Sequence, residues 1–136
     1  MHLNPYLMFD GRTEEALEFY KKTLGAEVTF LMRFSDNPDQ SHNPPHSADK
    51  VMHCAFTIGN QVVMASDGDC AGKGEFKGIS LTLTLATPAD AEKYFAALSE
   101  GGQVQMPMNE TFFAERFGMV ADKFGVSWMV LGGGKA

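Results

Sequence analysis

ALEFYKKTLGAEV at residues 16–28 and DAEKYFAALSEGGQV at residues 90–104 decide the fold, because the second follows the plan of the first. Ala16 matches Ala91, Phe19 matches Tyr94, and Tyr20 matches Phe95. The endings Gly25-Ala26-Glu27-Val28 and Gly101-Gly102-Gln103-Val104 agree with one residue inserted. Matched segments about 75 residues apart mark an internal duplication. Both segments predict helices. In the first, Ala16, Leu17, Tyr20 and Leu24 recur at helical spacing, with Phe19 widening the apolar stripe. Thr13 is the expected cap, Glu14 and Glu15 carry the favourable sign for a first turn, and Gly25 supplies the stop. In the second, Thr87 caps, Pro88 takes the first helical position, Asp90 sits in the first turn, and Gly101-Gly102 ends it.

Strands flank each helix. LNPYLMF (3–9) precedes the first and AEVTFLMRF (26–34) follows it. After a loop with three prolines at 35–50, VMHCAFTI (51–58) and QVVMAS (61–66) form a hairpin across Gly59-Asn60. DGDCAGKGEFKG (67–78) reads as a glycine-rich linker. The order then restarts with ISLTLTLAT (79–87), whose alternation predicts one buried and one polar face. QVQMPM (103–108) is a short strand expected to end at Pro107, and FGMVAD and VSWMVL form a closing hairpin. The expected class is α+β, with tandem βαβββ modules forming a cup-shaped, barrel-like mixed sheet and helices outside. One domain spans 1–136, with module 1 at 1–66, the linker at 67–78 and module 2 at 79–136.

Bulk composition narrows the partners. The chain of 136 residues is 44% apolar, with 11 Phe and 9 Met, enough for a real core. A net charge of −6 and no Lys/Arg cluster argue against nucleic acid. No apolar run approaches membrane-spanning length, and MHLNPYLMFDG lacks the features of a secretory leader. With only Cys54 and Cys70, the expectation is a cytoplasmic protein.

The opening block LNPYLMFDGRTEEALEFYKKTLGAEV and the closing block MPMNETFFAERFGMVADKFGVSWMV resemble the vicinal oxygen chelate superfamily of glyoxalases, bleomycin-resistance proteins and dioxygenases, and within it the PhnB-like group. The resemblance covers nearly the whole chain. It implies paired βαβββ modules around a small-molecule cavity, and a homodimer. Metal-dependent relatives place His or Gln near the start of each module's first strand and an acidic residue in its last strand. Those positions fall here at Pro5 and Ser80, and at Met129 with Val63 or Met64. Such side chains do not supply the imidazole and carboxylate ligands of that centre. The expectation is therefore no cofactor and no usual metal centre, with a divalent ion at a divergent site as the alternative. Some PhnB-like proteins carry a methyltransferase label. It is set aside because no glycine-rich strand-to-helix loop for a nucleotide-like cofactor is present.

The ligand-binding candidates are Tyr6, His53, Ser80, Phe112, Arg116 and Trp128; no catalytic residue is assigned. His53 shares a strand face with Ala55 and Thr57, opposite Met52, Cys54 and Phe56. An imidazole facing a cavity can do acid–base work or donate to an anionic ligand. Arg116, among Phe112, Phe113 and Phe117, can clamp a carboxylate or stack on a planar ligand, or pair with Glu115 or Glu110. Trp128 and Met129 point to opposite sides, so either can line the cavity while the other packs outside. Tyr6 and Ser80 are hydrogen-bonding candidates by strand position. His42 and His46 bracket two prolines that forbid helical chelation. The functional expectation is a protein binding a small planar or anionic organic molecule. The alternatives are an enzyme using a divergent metal or His53, and a structural dimer with a closed cavity.

Overall fold

The computed structural model describes residues 1–72 and 74–135. Lys73, inside the expected linker, and Ala136, at the end of the expected second module, lie outside the described residues. The elements are β1 (Tyr6–Met8), α1 (Thr13–Leu24), β2 (Glu27–Arg33), a 3-10 turn (Phe34–Asp36), β3 (Val51–Ile58), β4 (Gln61–Ser66), β5 (Leu81–Leu85), α2 (Pro88–Ser99), β6 (Gln103–Asn109), β7 (Ala114–Ala121) and β8 (Ser127–Gly134). The chain forms two compact units, Met1–Gly74 and Glu75–Ala136.

In the first unit the strand order is β1-β4-β3-β2. β1 pairs parallel with β4, and the other pairs are antiparallel. Strand alternation sends Leu7, Cys54, Phe56, Val63 and Ala65 to one face, where all are buried. The apolar stripe of α1 covers that face, with Tyr20 stacked on Phe56 at a centroid distance of 6.1 Å. Burying an aromatic or branched side chain of this size contributes about 1.5–3 kcal/mol. Gly25 ends α1 in the left-handed region, its N–H donating to Lys21 O while Ala26 N–H donates to Tyr20 O.

The start of α1 differs from expectation. The Thr13 side chain caps nothing; its Oγ1 is buried without a hydrogen-bond partner. Asp67, from the end of β4, caps the helix instead. Its Oδ1 accepts Gly11 N–H (2.9 Å) and Thr13 N–H (2.8 Å), while Oδ2 accepts Val51 N–H (2.7 Å). One buried carboxylate thus ties α1 to β3 and satisfies donors that a helix start leaves orphaned.

The second unit repeats the plan with order β5-β8-β7-β6. β5 pairs parallel with β8. α2 is capped as its sequence predicts, Thr87 Oγ1 accepting Asp90 N–H at 3.1 Å. It buries Ala91, Phe95 and Leu98 over a sheet whose buried side chains include Val120, Trp128 and Val130. Close helix approach requires glycine at two sheet positions. A β-carbon on Gly132 would overlap Thr87 O, and one on Gly118 would lie 2.8 Å from Phe95 Cε2. Pro107 does not end β6, which runs on to Asn109. β6 is an edge strand with an irregular register between Met106 and Asn109, so the missing N–H interrupts no regular ladder.

The barrel-like expectation is corrected. The tandem βαβββ order and the mixed sheets are present, but among the described residues the strands make two separate four-stranded sheets, not one closing sheet. The reason lies in the pairing. Each module's first strand pairs in parallel with that module's own last strand, so the ladder completes within the module. The outer strands β2 and β6 are both bulged, which disfavours extension of the ladder beyond them.

Candidate functional site

The face of the first sheet opposite α1 combines polar, aromatic and thioether side chains. β3 presents His53, Ala55 and Thr57 on it, the register brings Phe30 and Met32 alongside from β2, and β4 and β1 add Met64, Ser66, Tyr6 and Met8. Tyr6, Met8 and Phe30 are 42%, 49% and 51% exposed, against 0% for Cys54 and Phe56 on the helix side.

Two of the sequence candidates meet here. The Tyr6 hydroxyl lies 2.8 Å from His53 Nδ1. Their rings stack at 5.5 Å with an interplanar angle of 26°, and Phe30 flanks His53 at 5.9 Å. Burial pushes the Tyr6 phenol above its ordinary pKa, the neighbouring Ser66 hydroxyl pulls it partly back, and Cys54 adds a further upward push. Tyr6 therefore keeps its proton at neutral pH and is available as a donor. Ser66 Oγ in turn accepts Gly68 N–H at 2.9 Å. The result is a Tyr6–His53 polar pair set in an aromatic and thioether surface. It can stack on a flat molecule and hydrogen-bond one polar group at its edge.

The other four candidates belong to the second unit. Ser80 is half-buried immediately before β5. Phe112 lies in the β6–β7 connection, 90% exposed, with its ring edge-on to Phe113 at 5.2 Å. Arg116 sits on β7, where Nε donates to Glu92 of α2 (2.6 Å) and Nη2 to Met108 O (3.2 Å). The guanidinium thus joins helix to sheet through partners other than Glu115 and Glu110. Trp128 is buried on the α2 side, its Nε1–H donating to Asp122 Oδ2 at 2.9 Å. Asp122 Oδ1 also accepts Phe124 N–H and Val126 N–H at 2.9 and 3.1 Å, which fixes the β7–β8 turn. Met129, on the opposite side of β8, pairs with Thr82 and Met119.

The residues at the family's metal positions do not fit a metal centre. Pro5 offers no side-chain ligand and its carbonyl accepts Met64 N–H (3.0 Å); Val63 is buried on the helix side, and Met129 is a thioether. Among the described residues, no group of three or more His, Cys, Asp or Glu side chains is placed to hold a metal ion. His42 and His46 are exposed in the 35–50 loop.

Sequence reasoning missed Asp67 and Ser66 in the first unit and Asp122 at the β7–β8 turn of the second. Asp67 escapes because Gly11, Thr13 and Val51 reach it only through folding, whereas the partners of Ser66 and Asp122 lie within six residues of them. The one signal was an acidic residue directly after an apolar strand, at Asp67 and again at Asp122.

Comparison with known proteins agrees with the fold. The family model for 3-demethylubiquinone-9 3-methyltransferase matches residues 1–131. The chain is 34% identical to protein YjdN of Escherichia coli K12, with 96% of this chain and 94% of YjdN covered. The crystal structure of PA1353 from Pseudomonas aeruginosa is similar, with a TM-score of 0.85, 39% identity and 98% of both chains covered. A Bacillus cereus PhnB protein, described as a putative 3-demethylubiquinone-9 3-methyltransferase, has a TM-score of 0.80 at 28% identity, covering 97% of this chain and 99% of its own. With its tandem modules and these whole-length matches, the chain belongs to the PhnB-like, 3-demethylubiquinone-9 3-methyltransferase family, within the glyoxalase, bleomycin-resistance and dioxygenase superfamily.

Proposed function

We propose that this protein binds a small organic molecule on the open face of its first sheet, without the superfamily's usual metal centre. The observation that carries the reading is the Tyr6–His53 hydrogen bond beside Phe30, on a face that leaves all three accessible. A buried structural histidine would turn its ring into the core, whereas this one shares its face with three partly exposed Met side chains. The test is a fragment screen by NMR. Small aromatic fragments are expected to shift the His53 and Phe30 signals, and Phe30→Ala to weaken them several-fold. Shifts confined to other surfaces would overturn it.

The methyl transfer in the family's name is not adopted for this chain. The β1–α1 connection holds the single glycine Gly11 and the β5–α2 connection holds none, unlike a glycine-rich nucleotide loop. A second reading, proton transfer at the same face, draws support from the phenol proton held next to an imidazole. Turnover of a bound fragment that disappears in both Tyr6→Phe and His53→Gln would favour it.

The proposed assembly is a homodimer, supported by family resemblance and by the exposed Phe112 ring. Sedimentation giving a monomer at micromolar concentration would refute it. No helix among the described residues is long and apolar enough to cross a membrane. The two free cysteines support a cytoplasmic setting.

A further inference from the structure

We infer that the molecule taken by the open face of the first sheet is a planar organic cation. This rests on the binding reading above and names the charge and shape of the ligand. The electron distribution of the surface carries it. Tyr6 and Phe30 come from strands on either side of β3, and their rings lie 5.5 and 5.9 Å from that of His53. Both rings are also open to solvent, which leaves aromatic surface for a ligand to cover. The face of an aromatic ring carries the negative part of its quadrupole and attracts a positive charge placed over it. Met8, Met32 and Met64 stand on the same sheet face and add polarisable sulfur, which packs well against a flat body. These attractions are the same in either tautomer of His53.

Formal charge points the same way. The register sets Glu27 opposite Thr57, on this face. Glu27 is exposed and makes no ion pair among the described residues, whereas Glu14, Glu15, Glu18, Glu92 and Glu110 each hold an Arg or Lys. Among the described strand residues on the face, none is Lys or Arg, and His53 alone gains positive charge on protonation. The net charge of −6 favours approach of a cation from a distance. An anion would lose water here and meet no fixed counter-charge from these strands, whereas a cation meets ring faces and a carboxylate.

Three probes of similar shape and different charge separate the outcomes: 1-methylquinolinium, 1-methylnaphthalene and 1-naphthoate. Each is titrated into the full chain at pH 8 and low salt, with the His53 and Phe30 NMR signals as the readout. The cation is expected to bind about fivefold tighter than its neutral isostere, the worth of a cation–π contact at an exposed site. Naphthoate should bind weakest. Glu27→Gln, at an exposed position, should cut the advantage of the cation about twofold and leave methylnaphthalene binding unchanged, a pattern that loss of folding would not give. Methylnaphthalene or naphthoate binding as tightly as the cation overturns this inference while leaving binding at the face intact. Probe shifts that fade as protein concentration rises would mean that a second copy covers the face, which overturns it as well. Failure of all three probes to shift the His53 and Phe30 signals overturns the binding reading and this inference with it.

Discussion

Asp67 Oδ1 accepts the backbone N–H of Thr13 at 2.8 Å, joining the end of one strand to the start of a helix 54 residues earlier. With Gly11 and Val51 also donating, removal of the carboxylate leaves three N–H groups short of an acceptor. Asp67→Ala is expected to destabilise the protein by about 3 kcal/mol. Asp67→Asn should cost less than Asp67→Ala, because its carbonyl oxygen still accepts from Gly11 and Thr13 and only Val51 N–H meets an NH2. Urea unfolding measures both; a midpoint unchanged in either variant would contradict the clamp.

Thr13 offers the opposite case. Its hydroxyl is buried without a hydrogen-bond partner, so replacing it by a methyl of the same shape removes a desolvated polar group. Thr13→Val should leave stability unchanged or raise it by up to about 1 kcal/mol. Thr13→Ser, which keeps the hydroxyl and loses packing, should be the less stable variant by thermal melting.

Gly132 and Gly134 lie on the same strand and should respond differently. A β-carbon on Gly132 would meet the Thr87 backbone and lie 2.8 Å from Ala91 Cβ, while one on Gly134 meets nothing within 4 Å. Gly132→Ala should push α2 off the sheet and cost about 2 kcal/mol, whereas Gly134→Ala should be near neutral. Equal melting temperatures for the two variants would refute this account of helix packing.

Cys54 gives stability a pH dependence on the alkaline side. Burial raises its thiol from the ordinary 9.0 to about 11, with an Ala65 backbone hydrogen bond opposing and Asp67 assisting. Between those values the native state holds a proton that the unfolded chain has released. Stability from this group is therefore complete below 9.0 and lost as pH rises toward 11. Denaturant midpoints measured across that range should fall less steeply in Cys54→Ala than in the parent protein. Parallel slopes would reject the assignment.

Much of the fold is legible along the chain because helices and strands are governed by local spacing. The repeated helices, the Thr87 cap, the Gly25 stop and the face shared by His53, Ala55 and Thr57 all follow from period and capping chemistry. The barrel-like closure was the wrong expectation, because alternation says which way side chains point and not which strand edges join. Parallel pairing of β1 with β4 and of β5 with β8 settles that in each unit.

The site was legible only as separate residues. Sequence named Tyr6 and His53 but could not pair them across 47 positions. It likewise placed Arg116 among aromatic rings without revealing Glu92 as its partner. Local sequence thus determined the elements, their faces and the family. Tertiary structure alone decided the open sheets, the Asp67 clamp and the Tyr6–His53 hydrogen bond, because each depends on groups distant in sequence whose polar atoms must find partners once folding takes them out of water.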